Sequence, residues 1–146
     1  MGFFEGIAHN HILLTALGAW FIAQLMKFTL NLFLLREVDW SLLLSSGGFP
    51  SSHTASVIAL SCGVGKYYGW ESPLFAVAMF FSAIVMYDAT GVRRAAGKQA
   101  ERINQMIDTY YQGSDIAQER LKELIGHSPF EVFCGAALGI IIGMLM

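Results

Sequence analysis

The fold depends most on one stretch, Gly47-Gly48-Phe49-Pro50-Ser51-Ser52-His53-Thr54-Ala55-Ser56. Its glycines permit unusual backbone dihedrals, and a proline at a helix start sacrifices no hydrogen bond. Ser51 or Ser52 can therefore cap a helix that continues to about Tyr68. The free N–H groups of the first turn favour an anion such as phosphate, and His53 adds a titratable proton. An ordinary helix cap with an incidental histidine is the alternative.

The composition indicates a single membrane domain over residues 1–146. Of the 146 residues 55% are hydrophobic and 14% are charged, which is too apolar for a soluble surface, and the mean hydropathy is +0.52. Only one apolar segment reaches the length of about 20 residues that a helical span needs. The apolar segments are Ile12–Leu35, Thr54–Tyr68, Pro73–Tyr87 and Phe130–Met146. We predict an all-α, compact polytopic membrane bundle of about four main helices plus two short amphipathic helices.

The same composition excludes several other classes of protein. The net charge is −2 and there is no basic tract, so we expect no nucleic-acid partner. Cys62 and Cys134 lie in apolar segments without metal-ligand spacing and read as small hydrophobic residues. His9 and His11 lack an acidic or cysteine partner nearby, which favours a solvated pair. We expect the partner to be membrane lipid. The sequence leaves open which membrane hosts the chain and whether the chain forms a homo-oligomer.

Polar residues inside the first apolar segment require an explanation. Gln24, Lys27 and Asn31 are spaced by three and four positions and share one helix face. A lysine inside a membrane span is costly, so Lys27 should point into the bundle or a wet cavity. The alternative is that its side chain reaches the membrane surface near Arg36.

The densest cationic stretch runs from Asp88 to Gln99 and contains Arg93 and Arg94. The two arginines either mark a membrane boundary, with Asp88 as their ion-pair partner, or belong to a binding site. From Lys98 to Tyr111 apolar and charged residues separate onto two faces, which predicts an interfacial amphipathic helix. A second short amphipathic helix is predicted to end at Ile125.

The last apolar segment begins beside a histidine–carboxylate pair. His127 and Glu131 are four residues apart, so the carboxylate can fix the imidazole tautomer, although a structural histidine near a helix start is the common alternative. Gly135, Gly139 and Gly143 continue the same spacing and predict a face for close helix packing.

Counting helix crossings places the unusual polar residues on one side of the membrane. Lys27, His53, the Asp88–Gln99 stretch and His127 would share that side. This combination suits a phosphate site, where cations hold the oxygens, one histidine attacks and the other donates a proton.

The sequence also resembles a known superfamily. Pro50-Ser51-Ser52-His53 resembles the Pro-Ser-Gly-His motif of the type 2 phosphatidic acid phosphatases and vanadium haloperoxidases, and His127-x-x-x-Glu131 resembles their His-x-x-x-Asp segment. Nearly the whole chain, including Tyr87-Asp88-Ala89-x-Gly91-Val92-Arg93-Arg94, is similar to the divergent membrane branch of that superfamily. The resemblance implies a phosphatidic acid phosphatase-like fold and hydrolysis of phosphomonoesters or diphosphates through a phosphohistidine, without metal or other cofactor.

The resemblance also implies roles for individual residues. His127 would be the nucleophile, Glu131 would orient it, and His53 would be the general acid. The phosphate oxygens would be held by Ser51, Ser52 and the backbone N–H groups that follow, and by the first-motif cations Lys27 and Arg36.

The sequence departs from the family pattern in its first motif, where the spacing from Lys27 to Arg36 is longer and no proline follows Arg36, and at two further places. Ser52 replaces a glycine, and the Ser-Arg pair expected six residues before the nucleophile is replaced by Leu121 and Lys122. We infer that Arg93 or Arg94 supplies the missing charge, with Lys122 second to them. The sequence thus predicts an integral, multi-pass lipid-phosphate phosphatase whose substrate is a phosphatidate-type lipid or a prenyl mono- or diphosphate. The alternative is a catalytically silent protein that binds anionic lipid or serves as a scaffold.

Overall fold

The computed structural model describes residues 2–35, 47–110, 121 and 126–146. Every regular element within these ranges is a helix, as the sequence predicted. The helices are α1 (Phe3–Ala8), α2 (His11–Leu35), α3 (Ser52–Tyr68), α4 (Pro73–Thr90), α5 (Val92–Tyr110) and α6 (Pro129–Leu145).

Local capping signals account for the helix ends that were predicted well. Ser51 is the N-cap of α3, where its Oγ accepts a hydrogen bond from the Thr54 N–H at 3.4 Å. Pro50 therefore precedes the cap and does not occupy the first helical position. Ser72 caps α4, which opens on Pro73, and Gly69 ends α3 with φ +92°.

The predicted pattern was wrong at two helices. The six-residue helix α1 was not predicted, and it is capped by Glu5, whose carboxylate accepts from the Gly2 N–H at 3.0 Å. Helix α5 begins at Val92 and not at Lys98, so Gly97 lies inside the helix, where a glycine costs only about 1 kcal/mol relative to alanine. Arg93 and Arg94 consequently lie in its first turn. The predicted second amphipathic helix and Arg36 lie outside the described residues.

Helix α3 is the centre of the bundle and packs against α2, α4 and α6. Small residues let the helices approach closely, which is how helices associate where lipid removes the hydrophobic drive. A Cβ added at Gly139 would lie 2.5 Å from the Ala55 carbonyl oxygen, and one at Gly143 would lie 2.6 Å from the Cys62 Cβ. The predicted glycine face of α6 is thereby confirmed as its contact with α3.

Buried hydroxyl groups join α3 to α4. The Ser61 and Ser82 hydroxyls are 2.9 Å apart, and the carbonyl of Val57 accepts from both. Both serines are at most 1% exposed. This network satisfies polar groups that would otherwise be costly in an apolar environment.

The outer surface of the bundle is apolar. Two stretches of helix, His11–Phe33 and Pro73–Thr109, are long and apolar enough to cross a membrane, and α6 is apolar but shorter. Large side chains such as Phe80, Phe133 and Leu145 are mostly exposed, as lipid-facing residues would be. At the end of the bundle where α6 terminates, the Lys66 ammonium donates to the Met144 carbonyl.

Candidate active site

Two histidines that are far apart in sequence meet at one end of the bundle. His53 lies in the first turn of α3, and His127 directly precedes the cap of α6. The glycine face of α6 packs on α3 with both helices running in the same direction, because Gly135 lies against Ser51 and Gly143 lies against Cys62. Their N-terminal ends are therefore adjacent. The two imidazole ring centroids are 6.3 Å apart. The expected convergence of the two rings is therefore present in the structure.

His127 is held on two sides and is 1% exposed. Its backbone N–H donates to the Ala89 carbonyl at 3.1 Å, and its Nδ1 lies 3.0 Å from the Glu131 Oε2. An ionised carboxylate can only accept, so Nδ1 carries a proton, and in the neutral imidazole Nε2 then presents a lone pair. Within the part of the chain that the structure describes, this buried Nε2 has no hydrogen-bond partner. The arrangement leaves a nucleophilic nitrogen available.

Glu131 serves the helix as well as the histidine. Its carboxylate also accepts from the Ser128 N–H at 3.3 Å, and the Ser128 Oγ accepts from the Glu131 N–H at 3.3 Å. These two bonds form a capping box, so Ser128 and not His127 is the N-cap of α6. The orientation of the carboxylate toward the imidazole is thus fixed by the helix start itself.

The Gly-Gly-Phe-Pro-Ser loop is fastened to the same helix start. The Ser51 N–H donates to the Glu131 carbonyl at 3.1 Å, and the rings of Phe49 and Phe130 stack at 5.7 Å. Ser51 and Ser52 are fully buried. The Ser51 hydroxyl oxygen accepts from Thr54, whereas the Ser52 Oγ has no hydrogen-bond partner among the described residues.

Lys27 lies beneath this loop, as the inward-pointing interpretation predicted. It is 3% exposed, and a Cβ added at Gly48, which has φ +92°, would lie 3.2 Å from its Cδ. The positive charge of Lys27 attracts the Glu131 carboxylate and opposes a positive charge on the His53 imidazole. The position of the other first-motif cation, Arg36, lies outside the described residues.

The two arginines of α5 have different surroundings. Arg93 forms an ion pair with Asp88, which was the predicted partner, and its charge acts on His53. Arg94 lies against the segment that carries His127, because a Cβ added at Gly126 would lie only 2.3 Å from the Arg94 Cα.

A cavity of about 350 Å³ opens beside His127. Its described lining includes Arg94, Lys98, Glu101, Gly126, His127 and Ser128. The sequence interpretation placed Lys98 on the same side of the membrane, within the Asp88–Gln99 stretch, but gave it no role, and it did not consider Glu101 for the site. Their spacing of four and seven from Arg94 places them on the same helix face and was the available signal.

The assembled groups can act on an anion. They combine a histidine with a free lone pair, a second imidazole, a buried lysine, hydroxyl groups and two cavity cations. Among the described residues no group of three or more His, Cys, Asp or Glu side chains is arranged to hold a metal ion.

The chain is similar to known membrane proteins over almost its whole length. Residues 8–142 match the family model described as the divergent PAP2 family. The chain is 43% identical to a protein of Bacillus subtilis (strain 168) named as the uncharacterized membrane protein YuiD, over 94% of each chain. No solved structure matches it.

Proposed function

The chain belongs to the divergent PAP2 family and is an integral membrane protein, and we propose that it is a lipid-phosphate phosphatase that works through a phosphohistidine. The observation that carries the proposal is the pair of neighbouring imidazoles, which meet edge to face, and of which one, His127, has a buried Nε2 without a hydrogen-bond partner among the described residues. A tetrahedral phosphoryl group between the rings can contact both, since attack requires about 3–3.5 Å and proton donation about 2.6–3.2 Å.

In the first proposed step His127 Nε2 attacks phosphorus, and the bond between phosphorus and the lipid oxygen breaks. Burial and the charge of Arg93 lower the pKa of His53, and in this step the imidazole reacts in its protonated form. It donates its proton to the leaving oxygen, so the lipid alcohol departs neutral. The imidazole of His127 then carries phosphate and positive charge. The Glu131 carboxylate, hydrogen-bonded to Nδ1, stabilises that charge where it develops.

In the second step a water molecule attacks the phosphohistidine. His53, now neutral, accepts a proton from this water, and the bond between phosphorus and Nε2 breaks to release inorganic phosphate. Both histidines return to their initial protonation states. In this proposal Lys27, Ser51 and Ser52 stabilise the phosphoryl oxygens; all three are buried, and Lys27 also interacts with Glu131. Because the outer surface of the bundle is apolar, the lipid tail of a substrate can stay in the membrane beside it while the phosphate group reacts.

The decisive experiment is the trapping of a phosphoenzyme. Purified protein in detergent is incubated with phosphate-labelled phosphatidate, phosphatidylglycerol phosphate or prenyl diphosphate and then denatured in alkali, where phosphohistidine survives. We expect label on the wild type and none on His127→Asn, together with loss of phosphate release. His9→Asn is the matched control, because His9 is exposed at the N-terminal end of the chain. Undiminished hydrolysis by His127→Asn would refute the proposal.

A specific observation keeps one rival function open. Leu121 and Lys122 stand where the resemblance leads one to expect a serine–arginine pair. A protein that binds anionic lipid without hydrolysing it would retain the buried lysine and the serines. Binding of phosphatidate vesicles by wild type, without phosphate release from any of the three substrates, would favour that rival.

A further inference from the structure

The cavity beside His127 has a charged wall that comes from a single helix. Arg94 and Lys98 are one turn apart on α5, and both line the cavity. The buried Gly97 lies between them on the helix and also lines the cavity, so side-chain bulk is absent there. Two cations therefore border a cavity that His127 also lines.

The contact at Gly126 fixes this wall relative to the histidine. A Cβ at Gly126 would lie 2.3 Å from both the Arg94 Cα and the Arg94 N, so the two backbones touch. The next residue, His127, donates its N–H to the carbonyl of Ala89, near the end of α4. The first turn of α5 and the histidine are thus parts of one packed unit.

Arg93 differs from Arg94 despite being its neighbour. Successive helical residues point about 100° apart, since there are about 3.6 residues per turn. Arg93 pairs with Asp88 across the junction of α4 and α5, and it is not among the described lining residues of the cavity. Its guanidinium is paired with a carboxylate of α4, although both side chains are partly exposed.

A carboxylate on the same face of α5 also lines the cavity and opposes the two cations. Glu101 lies three residues beyond Lys98, and its Oε1 accepts from the Gln105 side chain at 3.4 Å. Counted with a neutral His127, the described lining carries two positive charges and one negative charge. An anion in the cavity is therefore attracted by Arg94 and Lys98 and repelled by Glu101.

We propose that Arg94 and Lys98 bind the phosphate oxygens in this cavity, and that Arg93 is a structural clamp at the helix junction. The proposal rests on the phosphatase assignment for the nature of the ligand. It identifies Lys98 as a binding residue and chooses between the two arginines that the sequence left as alternatives. Loss of the charge-assisted hydrogen bond from either cation should weaken phosphate binding about ten-fold or more.

Calorimetry measures the binding of inorganic phosphate to the purified full-length protein and so tests the assignment. Inhibition of phosphatidate hydrolysis by inorganic phosphate provides a second readout. Arg94→Gln and Lys98→Gln should each weaken binding about ten-fold. Glu101→Gln should strengthen it about three- to five-fold, as loss of a nearby exposed repulsive charge permits. This opposite sign separates an electrostatic effect from general damage to the fold.

Two further variants serve as comparisons. Arg102→Gln makes the same chemical change on α5 outside the described lining of the cavity, and Glu71→Gln repeats the Glu101 change in the turn between α3 and α4. Both should bind phosphate within about two-fold of wild type. Arg93→Gln should lower the thermal midpoint with phosphate affinity within about two-fold.

The outcomes separate this assignment from the phosphatase proposal. Phosphate binding with the expected pattern but without hydrolysis supports the assignment and overturns the enzyme. Hydrolysis that depends on His127 but is unaffected by Arg94→Gln and Lys98→Gln overturns the assignment and keeps the enzyme. Wild type that binds no phosphate at millimolar concentration, or Arg93→Gln that loses as much affinity as Arg94→Gln, also overturns the assignment. If Arg94→Gln does not fold, Lys98→Gln and Glu101→Gln decide.

Discussion

Replacing Glu131 by glutamine removes one negative charge while keeping the shape of the side chain. The Ser128 N–H still requires an acceptor, which holds the amide oxygen where the carboxylate Oε2 lies now. That oxygen also remains 3.0 Å from His127 Nδ1, so the imidazole keeps its tautomer. Glu131→Gln therefore isolates the contribution of the charge to the positively charged phosphohistidine.

The expected loss follows from the difference between two kinds of hydrogen bond. A bond to a charged group contributes about 1.5–3 kcal/mol, whereas a neutral pair contributes about 0.5–1.5 kcal/mol. The difference of roughly 1–1.5 kcal/mol acts mainly in the transition state, where the ring becomes cationic, and corresponds to about a ten-fold fall in kcat. KM should remain within about two-fold, because the neutral ground-state imidazole gains little from the charge.

The assay is phosphate release from phosphatidate in mixed micelles, with kcat and KM measured separately. Ser128→Ala is the matched control, since it removes the other half of the capping box and costs about 1 kcal/mol of helix stability without altering the contact between Glu131 and His127. We expect Ser128→Ala to lower the thermal midpoint with a smaller loss of kcat. An unchanged kcat in Glu131→Gln, or an equal loss in Ser128→Ala, would refute the proposal that the Glu131 charge stabilises the phosphohistidine.

Three further predictions concern packing, positioning and proton donation. Gly139→Ala should destabilise the protein by about 1–3 kcal/mol in a detergent melt, because the added Cβ would meet α3. Gly18→Ala is the control and should not destabilise it, because its Cβ would meet only a methionine sulfur at 3.9 Å. Equal thermal midpoints for the two variants would contradict this packing. Gly126→Ala should shift His127 and lower kcat by up to about 10²-fold, as a displacement of about 1 Å can do, and wild-type kcat would show that the contact with α5 is unimportant. His53→Asn should lower turnover of an alkyl phosphate by about 10²–10⁴-fold and that of p-nitrophenyl phosphate much less; equal losses for both substrates would argue against proton donation to the leaving group.

The sequence by itself determined the local structure of this protein. Caps and helix ends depend on neighbouring residues, which is why the predicted end of a helix near Tyr68 and the apolar segment that begins at Pro73 match α3 and α4. The spacing of Gly135, Gly139 and Gly143 also predicted a packed helix face, because periodicity is a property of one helix. The motif residues were all visible in the chain as candidates.

The tertiary structure decided how those candidates combine. Whether His53 meets His127 depends on the packing of α3 against α6, which no local pattern specifies. Arg93 and Arg94 are equivalent in the sequence, but the rotation of α5 about its axis turns one to Asp88 and the other to the cavity. Side-chain charge and helix periodicity are encoded residue by residue, whereas the direction in which each charge points is set only when the helices pack.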